Sequence, residues 1–209
     1  MASAPPRSTR RAEASERLRE AIVAATVRIV ARDGVGAVTH RRVAEEAGVS
    51  LSSTTWHFGS KGEILEAALR WTARREVERV DAMAERIAAA AGGGFDPDAW
   101  ARELAAWVIA QSEGDEREVT VALYRLQLET LGRPGAVGVH REWGAALEAV
   151  GERVLGPAGS ATPALDTRLV VAALDGLRLG VLSLRERDAA ARTDWIAPAI
   201  GRLLRTLVA

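Results

Sequence analysis

The 209-residue sequence predicts an all-α protein, and three observations carry that prediction. Apolar residues recur at three- and four-residue spacing along most of the chain, the period of a helix with one buried face. Proline is scarce and aromatics make up only 4% of residues, whereas Ala, Arg, Leu and Glu abound, and these are strong helix formers. No internal repeat and no hairpin signal interrupts the pattern.

Residues 1–12 are small, polar and basic, with Arg7, Arg10 and Arg11, and are expected to form a flexible arm. From about Ala14, the positions Leu18, Ile22, Ala25 and Ile29 step by four, three and four, which sets them on one face of a first helix. Asp33-Gly34 ends that helix, because glycine takes the left-handed conformation there at little cost. Thr39 stands as the N-cap of a short second helix over His40 to Ala47. In it Val43, Ala44 and Ala47 face inward and Arg41 and Arg42 outward, and Gly48 breaks it. Ser50 caps a third helix running to about His57, its hydroxyl accepting from the first free backbone amides. Two short helices joined by a tight glycine turn make a helix-turn-helix.

After Gly59-Ser60 a longer helix runs from near Lys61 through Ile64, Leu65, Leu69, Val77 and Met83 to about Ala91, where three glycines interrupt it. Further helices are expected over about 96–113, 116–131, 136–155, 163–186 and 194–207. The domain reading is therefore a basic arm over 1–12, a helix-turn-helix domain over 13–60 and a helical domain over 61–209.

Composition excludes several chemistries. There is no cysteine, hence no disulfide framework, thiolate metal site or cysteine nucleophile. Gly34-Val35-Gly36 lacks the third glycine of a dinucleotide fingerprint and follows a helix instead of a strand. No nucleophile elbow or phosphate-binding loop is present. His40 and His57 have no third ligand nearby, so no metal is expected, and His140 reads as a surface residue in a charged helix. The chain is read as a non-enzyme without a cofactor. No stretch reaches the roughly 18–20 apolar residues of a membrane span, and the basic first dozen residues carry no apolar run behind them. A cytoplasmic location is the expectation. Although 28 Lys+Arg balance 28 Asp+Glu, residues 1–62 carry a net +4 and residues 63–209 a net −4, so a basic module is joined to an acidic one.

The stretch from Val38 to Leu65 resembles the DNA-binding segment of the TetR family of transcriptional regulators. The matching features are Thr39, Val43-Ala44, Ala47-Gly48-Val49-Ser50, Trp56-His57-Phe58, Ser60-Lys61 and Ile64-Leu65. The resemblance covers about 50 residues, and the remainder matches in length and helix pattern. It implies a homodimer that binds double-stranded DNA at a near-palindromic operator and releases it when a small effector enters the C-terminal domain. Carried over by position, Thr39, His40 and Arg41 contact the DNA backbone, Arg41 also reaching toward a base edge. Trp56 and His57 touch sugar-phosphate, and Lys61, the only lysine in the chain, holds a phosphate. Ser50, Leu51, Ser52, Ser53 and Thr55 complete the recognition surface; short hydroxyls bond base edges or phosphates, and a Thr methyl meets a thymine methyl. Arg10 and Arg11 are candidates for added phosphate or minor-groove contacts. Leu51, Ser52 and Thr55 depart from the family's frequent polar or basic residue, Gly and Tyr, so its base preferences do not transfer. Phe58 reads as core, and Trp56 equally as core or as contact.

In the C-terminal part, Trp100, Leu104 and Trp107 share a helix face, with Tyr124, Gln127, Leu128, Trp143 and Leu147 on neighbouring helices. These residues are candidates for lining an apolar effector cavity with a few polar groups, ordinary core packing being the alternative. Leu169, Ala173, Gly176, Leu177 and Gly180, with the stripe Ile196, Ile200, Leu203 and Leu207, are candidates for a four-helix dimer interface, burial within one subunit being the alternative. Two other classes stand beside the ligand-responsive regulator: a ligand-blind DNA-binding protein of the same fold, and a helical protein–protein adaptor.

Overall fold

The computed structural model describes residues 7–90, 94–183 and 194–208. Among them are nine α-helices and no strand: α1 Arg7–Asp33, α2 His40–Ala47, α3 Leu51–His57, α4 Lys61–Ala90, α5 Pro97–Ala110, α6 Gly114–Thr130, α7 Pro134–Leu155, α8 Pro163–Ser183 and α9 Ile196–Leu207. A single 3-10 turn, Val35–Ala37, follows α1. Residues 7–12, expected in the basic arm, are the first turns of α1, and residues 1–6 lie outside the described residues. Arg and Ala in this segment are good helix formers, so the helix extends past the point where its buried face begins. The expected end of α8 at residues 184–186 also lies outside the described residues.

The chain divides into two compact units, with boundaries inside α4, α6 and α7. The first comprises residues 1–73 and 121–139, the second residues 74–120 and 140–209. In the first, Ile22, Ile29 and Val30 of α1 are sealed from solvent together with Val38, Val43 of α2, Phe58, Ile64, Leu65 and Leu69 of α4, and Leu123 and Leu126 of α6. The end of α1 is closed twice. Gly34, at φ 83°, donates its N–H to the Val30 carbonyl, and the Arg125 guanidinium donates to the carbonyls of Val30 (2.7 Å) and Ala31 (2.8 Å). A cation on the last carbonyls meets the negative end of the helix dipole.

In the second unit α9 packs along α5. Ile196, Ile200 and Leu204 join Trp100, Ala101, Leu104 and Val108 in one core, with Met83, Ile87, Val150, Leu155 and Leu174 around them. Asp96 caps α5 by accepting from the Asp98 N–H at 2.9 Å, and Pro97 occupies the first turn. This core corrects one expectation. Ile196 is 0% and Ile200 2% exposed within a single chain, so neither has surface left to offer a second subunit. The stripe on α9 forms, but at Ile196 and Ile200 it is buried in this core, whereas Leu203 and Leu207 stay half-buried.

Candidate nucleic-acid interface

The geometry of α2 and α3 follows from their ends. The Thr39 hydroxyl accepts from the Arg42 N–H at 3.2 Å and starts α2. Gly48, at φ 67°, takes the left-handed turn that stops it, and the Val49 N–H returns to the Ala44 carbonyl at 3.0 Å. Ser50 accepts from the Ser53 N–H at 3.0 Å and starts α3 only three residues after α2 ends. Ser60 and Glu63 form a reciprocal cap at the start of α4: the Glu63 N–H donates to the Ser60 hydroxyl, and the Gly59 N–H to the Glu63 carboxylate. The pair α2–α3 is locked to α1 by charge. Glu46 accepts from Arg28 at 2.9 Å and from Arg32 at 3.2 Å, and Arg42 pairs with Asp33. The two guanidiniums hold the Glu46 carboxyl below the usual carboxylate range.

On that frame the predicted DNA contacts sort into groups. Arg41, with a side chain 83% exposed, donates to the Glu45 carboxylate one turn on at 2.9 Å and faces solvent. Leu51, Ser52, Thr55 and Trp56 are exposed on α3, Trp56 at 75% and edge-on to His57 with ring centroids 4.6 Å apart. Ser53 and His57 are half-buried. Thr54 is fully buried and anchors α3, and Phe58 is core at 3% exposed. The half-buried His40 donates from Nε2 to the Phe58 carbonyl at 2.9 Å, tying the start of α2 to the end of α3 and leaving only Nδ1 for another partner. Lys61 is half-buried, its Nζ 3.5 Å from the Gly36 carbonyl. Arg10 and Arg11 are exposed on α1.

The predicted effector residues are divided between the two units. Trp100 and Leu104 are core residues of the second unit, where Trp107 is partly buried and Leu147 is 9% exposed. Trp143 also belongs to that unit, whereas Tyr124, Gln127 and Leu128 belong to the first. Leu128 is 72% exposed and lines no interior. It sits about 200° around α6 from the fully buried Leu126, at 100° per residue. A surface groove of about 600 Å³ in the second unit is bounded by Arg86, Ile87, Phe95, Ala99, Arg102 and Glu103, and contains none of the predicted residues.

What sequence reasoning missed is a buried polar cluster in the second unit. Arg178 of α8, 3% exposed, pairs with Glu76 and Asp175, donates to the Gln111 carbonyl oxygen at 2.9 Å, and lies 4.8 Å over the Trp107 ring. Gln111 accepts as well from the Thr120 hydroxyl at 3.2 Å. Burial pushes the Glu76 carboxyl up, against the pull of Arg178. The indole N–H of Trp107 and the amide nitrogen of Gln111 are buried donors with no acceptor among the described residues. A signal for the cluster existed: Arg178 is flanked one turn either way by Leu174 and Val181, with Asp175 as an opposite charge three residues before it. Among the described residues there is no group of three His, Asp or Glu side chains able to hold a metal ion. No described helix is long and apolar enough to cross a membrane.

Comparison with known proteins agrees with this frame. Residues 22–68 match the family of bacterial regulatory proteins called tetR, and residues 95–209 match a tetracyclin repressor-like C-terminal domain. The HTH-type transcriptional repressor KstR of Mycolicibacterium smegmatis is 40% identical over 80 residues, which are 38% of this chain and 37% of that one. The HTH-type transcriptional regulator BetI of Brucella anthropi is 29% identical over 121 residues, 54% of this chain and 62% of that one. The matched stretches thus span less than two thirds of either relative. The crystal structure of the multidrug binding protein EbrR complexed with ethidium superposes with a TM-score of 0.64 at 30% identity, covering 92% of this chain and 99% of that one. With its C-terminal match alone spanning more than half of its length, the chain belongs to the TetR family of transcription regulators, a family of DNA-binding proteins and not of enzymes.

Proposed function

We propose that this protein is a dimeric, effector-responsive transcriptional repressor that inserts α3 into the major groove of a near-palindromic operator. The observation that carries the reading is the division of labour on α2 and α3. Val43, Ala44, Thr54 and Phe58 are buried, while Arg41, Leu51, Ser52, Thr55 and Trp56 stand out together on the other side. Arg41 and Lys61 position the protein on phosphate, and α3 meets the base edges.

The dimer reading rests on α8. Leu165, Leu169, Ala172, Gly176, Leu179 and Ser183 are all exposed, at steps of four, three, four, three and four, which is one continuous and largely apolar face. Gly180 lies beside it, and Ala173, Leu177, Leu203 and Leu207 are half-buried. A second copy is the partner that a palindromic site calls for.

The effector reading draws on the second unit's buried Glu76–Arg178–Gln111 cluster beside Trp107, because polar groups so placed fix the orientation of an apolar guest. It draws too on EbrR, whose structures are complexed with ethidium, malachite green and proflavin. A planar amphipathic effector is the class proposed. Ligand weakens operator binding only by its greater affinity for the non-binding conformation.

Selection of bound fragments from the source genome at about 150 mM salt, where nonspecific phosphate binding is weakened, tests the proposal. Recovery of a palindromic site is the expected result. Arg41→Ala and Lys61→Ala are each expected to bind that site more weakly and to lower the slope of log affinity against log salt by about one unit. Recovery of no selective site would reject the regulator and favour the adaptor. A selected site whose binding is indifferent to proflavin, with no rise in melting temperature on adding the dye, would favour a ligand-blind regulator.

A further inference from the structure

The recognition helix α3 reads Leu51-Ser52-Ser53-Thr54-Thr55-Trp56-His57 and carries no Arg, Lys, Asn, Gln, Asp or Glu. The paired hydrogen bonds that single out guanine come from Arg or Lys, those that single out adenine from Asn or Gln, and acceptance from cytosine from Asp or Glu. α3 has none of these.

Its hydroxyls are largely engaged within the helix. Ser50 Oγ accepts the Ser53 N–H and lies 2.8 Å from both the Ser52 and Ser53 hydroxyls. The buried Thr54 hydroxyl donates to the Ser50 carbonyl. Thr55 Oγ1 donates back to the carbonyls of Leu51 and Ser52 at 3.1 Å each, which leaves the γ-methyl as the free branch of an exposed side chain. Leu51, one turn earlier on the same face, is 50% exposed. The outward face that Leu51 and Thr55 share is therefore apolar, on a short helix set in the basic part of the chain, with Arg41 and Lys61 as flanking cations.

One apolar group is on offer in the major groove: the 5-methyl of thymine. Resting on the DNA-binding reading above, we propose that α3 selects its operator by thymine methyl groups, with Leu51 as the specificity-determining residue and the Thr55 methyl beside it. The operator then holds A·T pairs under the start of α3 in each half-site, and guanine recognition falls to Arg41 on α2.

Single replacement of thymine by uracil tests this directly, because it deletes the methyl and leaves the hydrogen-bonding edge unchanged. With the full chain and the selected operator, one or two thymines per half-site should each lose roughly fourfold in affinity on conversion to uracil, the value of one buried methyl-sized group. Leu51→Ala should bind more weakly and lose that sensitivity at the same position, whereas Leu51→Met should keep it. Leu51 is exposed, and matching melting temperatures would show that each variant folds. Two results would overturn the assignment: a selective operator on which no uracil substitution changes affinity, or undiminished uracil sensitivity in Leu51→Ala. Failure to select any operator would instead overturn the DNA-binding reading, and this assignment with it.

Discussion

Glu46 sits between the guanidiniums of Arg28 and Arg32, and its low proton affinity has a thermodynamic counterpart. In the folded chain it binds a proton less readily than in the unfolded one, so across that window the unfolded state holds more protons and stability rises with pH. The contribution is complete above the ordinary carboxylate range and disappears as pH falls through the lowered value of the folded state. Glu46→Gln should therefore melt below the parent at pH 7, with the gap closing as pH drops below the carboxylate range. Thermal unfolding of both proteins along a pH series measures this, and a gap of constant width would mean that the carboxylate's charge is not its source. Glu76 has the opposite sign. Burial raises its proton affinity, so its ionisation weighs against the fold as pH rises, with Arg178 opposing that trend.

Among the elements, legibility followed from how local the cause is. The ends of α2 were readable because Thr39 and Gly48 determine them by their own hydrogen bond and backbone angle. The start of α1 was not, since residues 9–14 are all exposed and so show no periodicity. Periodicity shows which residues face together and not what they face, so the α9 stripe fits an interface or a core alike, and its burial decides for the core at Ile196 and Ile200. The Glu76–Arg178 pair joins residues 102 positions apart and leaves no spacing to read. Contacts between helices also set the tolerance of their glycines. A Cβ built on Gly151 of α7 would land on the hydroxyl and methyl of Thr167 on α8, 2.7 Å from that residue's own Cβ. One on Gly144 of the same helix meets nothing within 4 Å. Gly151→Ala should cost about 1–3 kcal/mol by overpacking, about 2–4 °C of melting temperature for each kcal/mol. Gly144→Ala should gain about 1 kcal/mol in helix propensity. Equal melting temperatures for the two variants would show that α7 and α8 separate without penalty.

For the molecule as a whole, the exposed face of α8 is the feature with the widest reach. Leu169 and Leu179 are each 48% exposed there, so charges can be placed on the face without disturbing the core. Sedimentation of the parent at micromolar concentration should give a dimer, and the double variant Leu169→Glu with Leu179→Glu should give a folded monomer that binds the operator far more weakly. A monomeric parent, or a variant that still dimerises, would remove α8 from the interface. The +4 of residues 1–62 and the −4 of residues 63–209 put the attraction for phosphate in the segment that carries α2 and α3.

Lys61 ties the start of α4 to the turn after α1, and it is the chain's sole lysine. Every other side-chain cation is a guanidinium, which does not acylate under conditions that modify an amine. Amine chemistry on side chains thus converges on a single address beside α3. An acyl group there would delete one positive charge from the basic segment and nothing elsewhere, and a dye coupled there would report on the segment around α3.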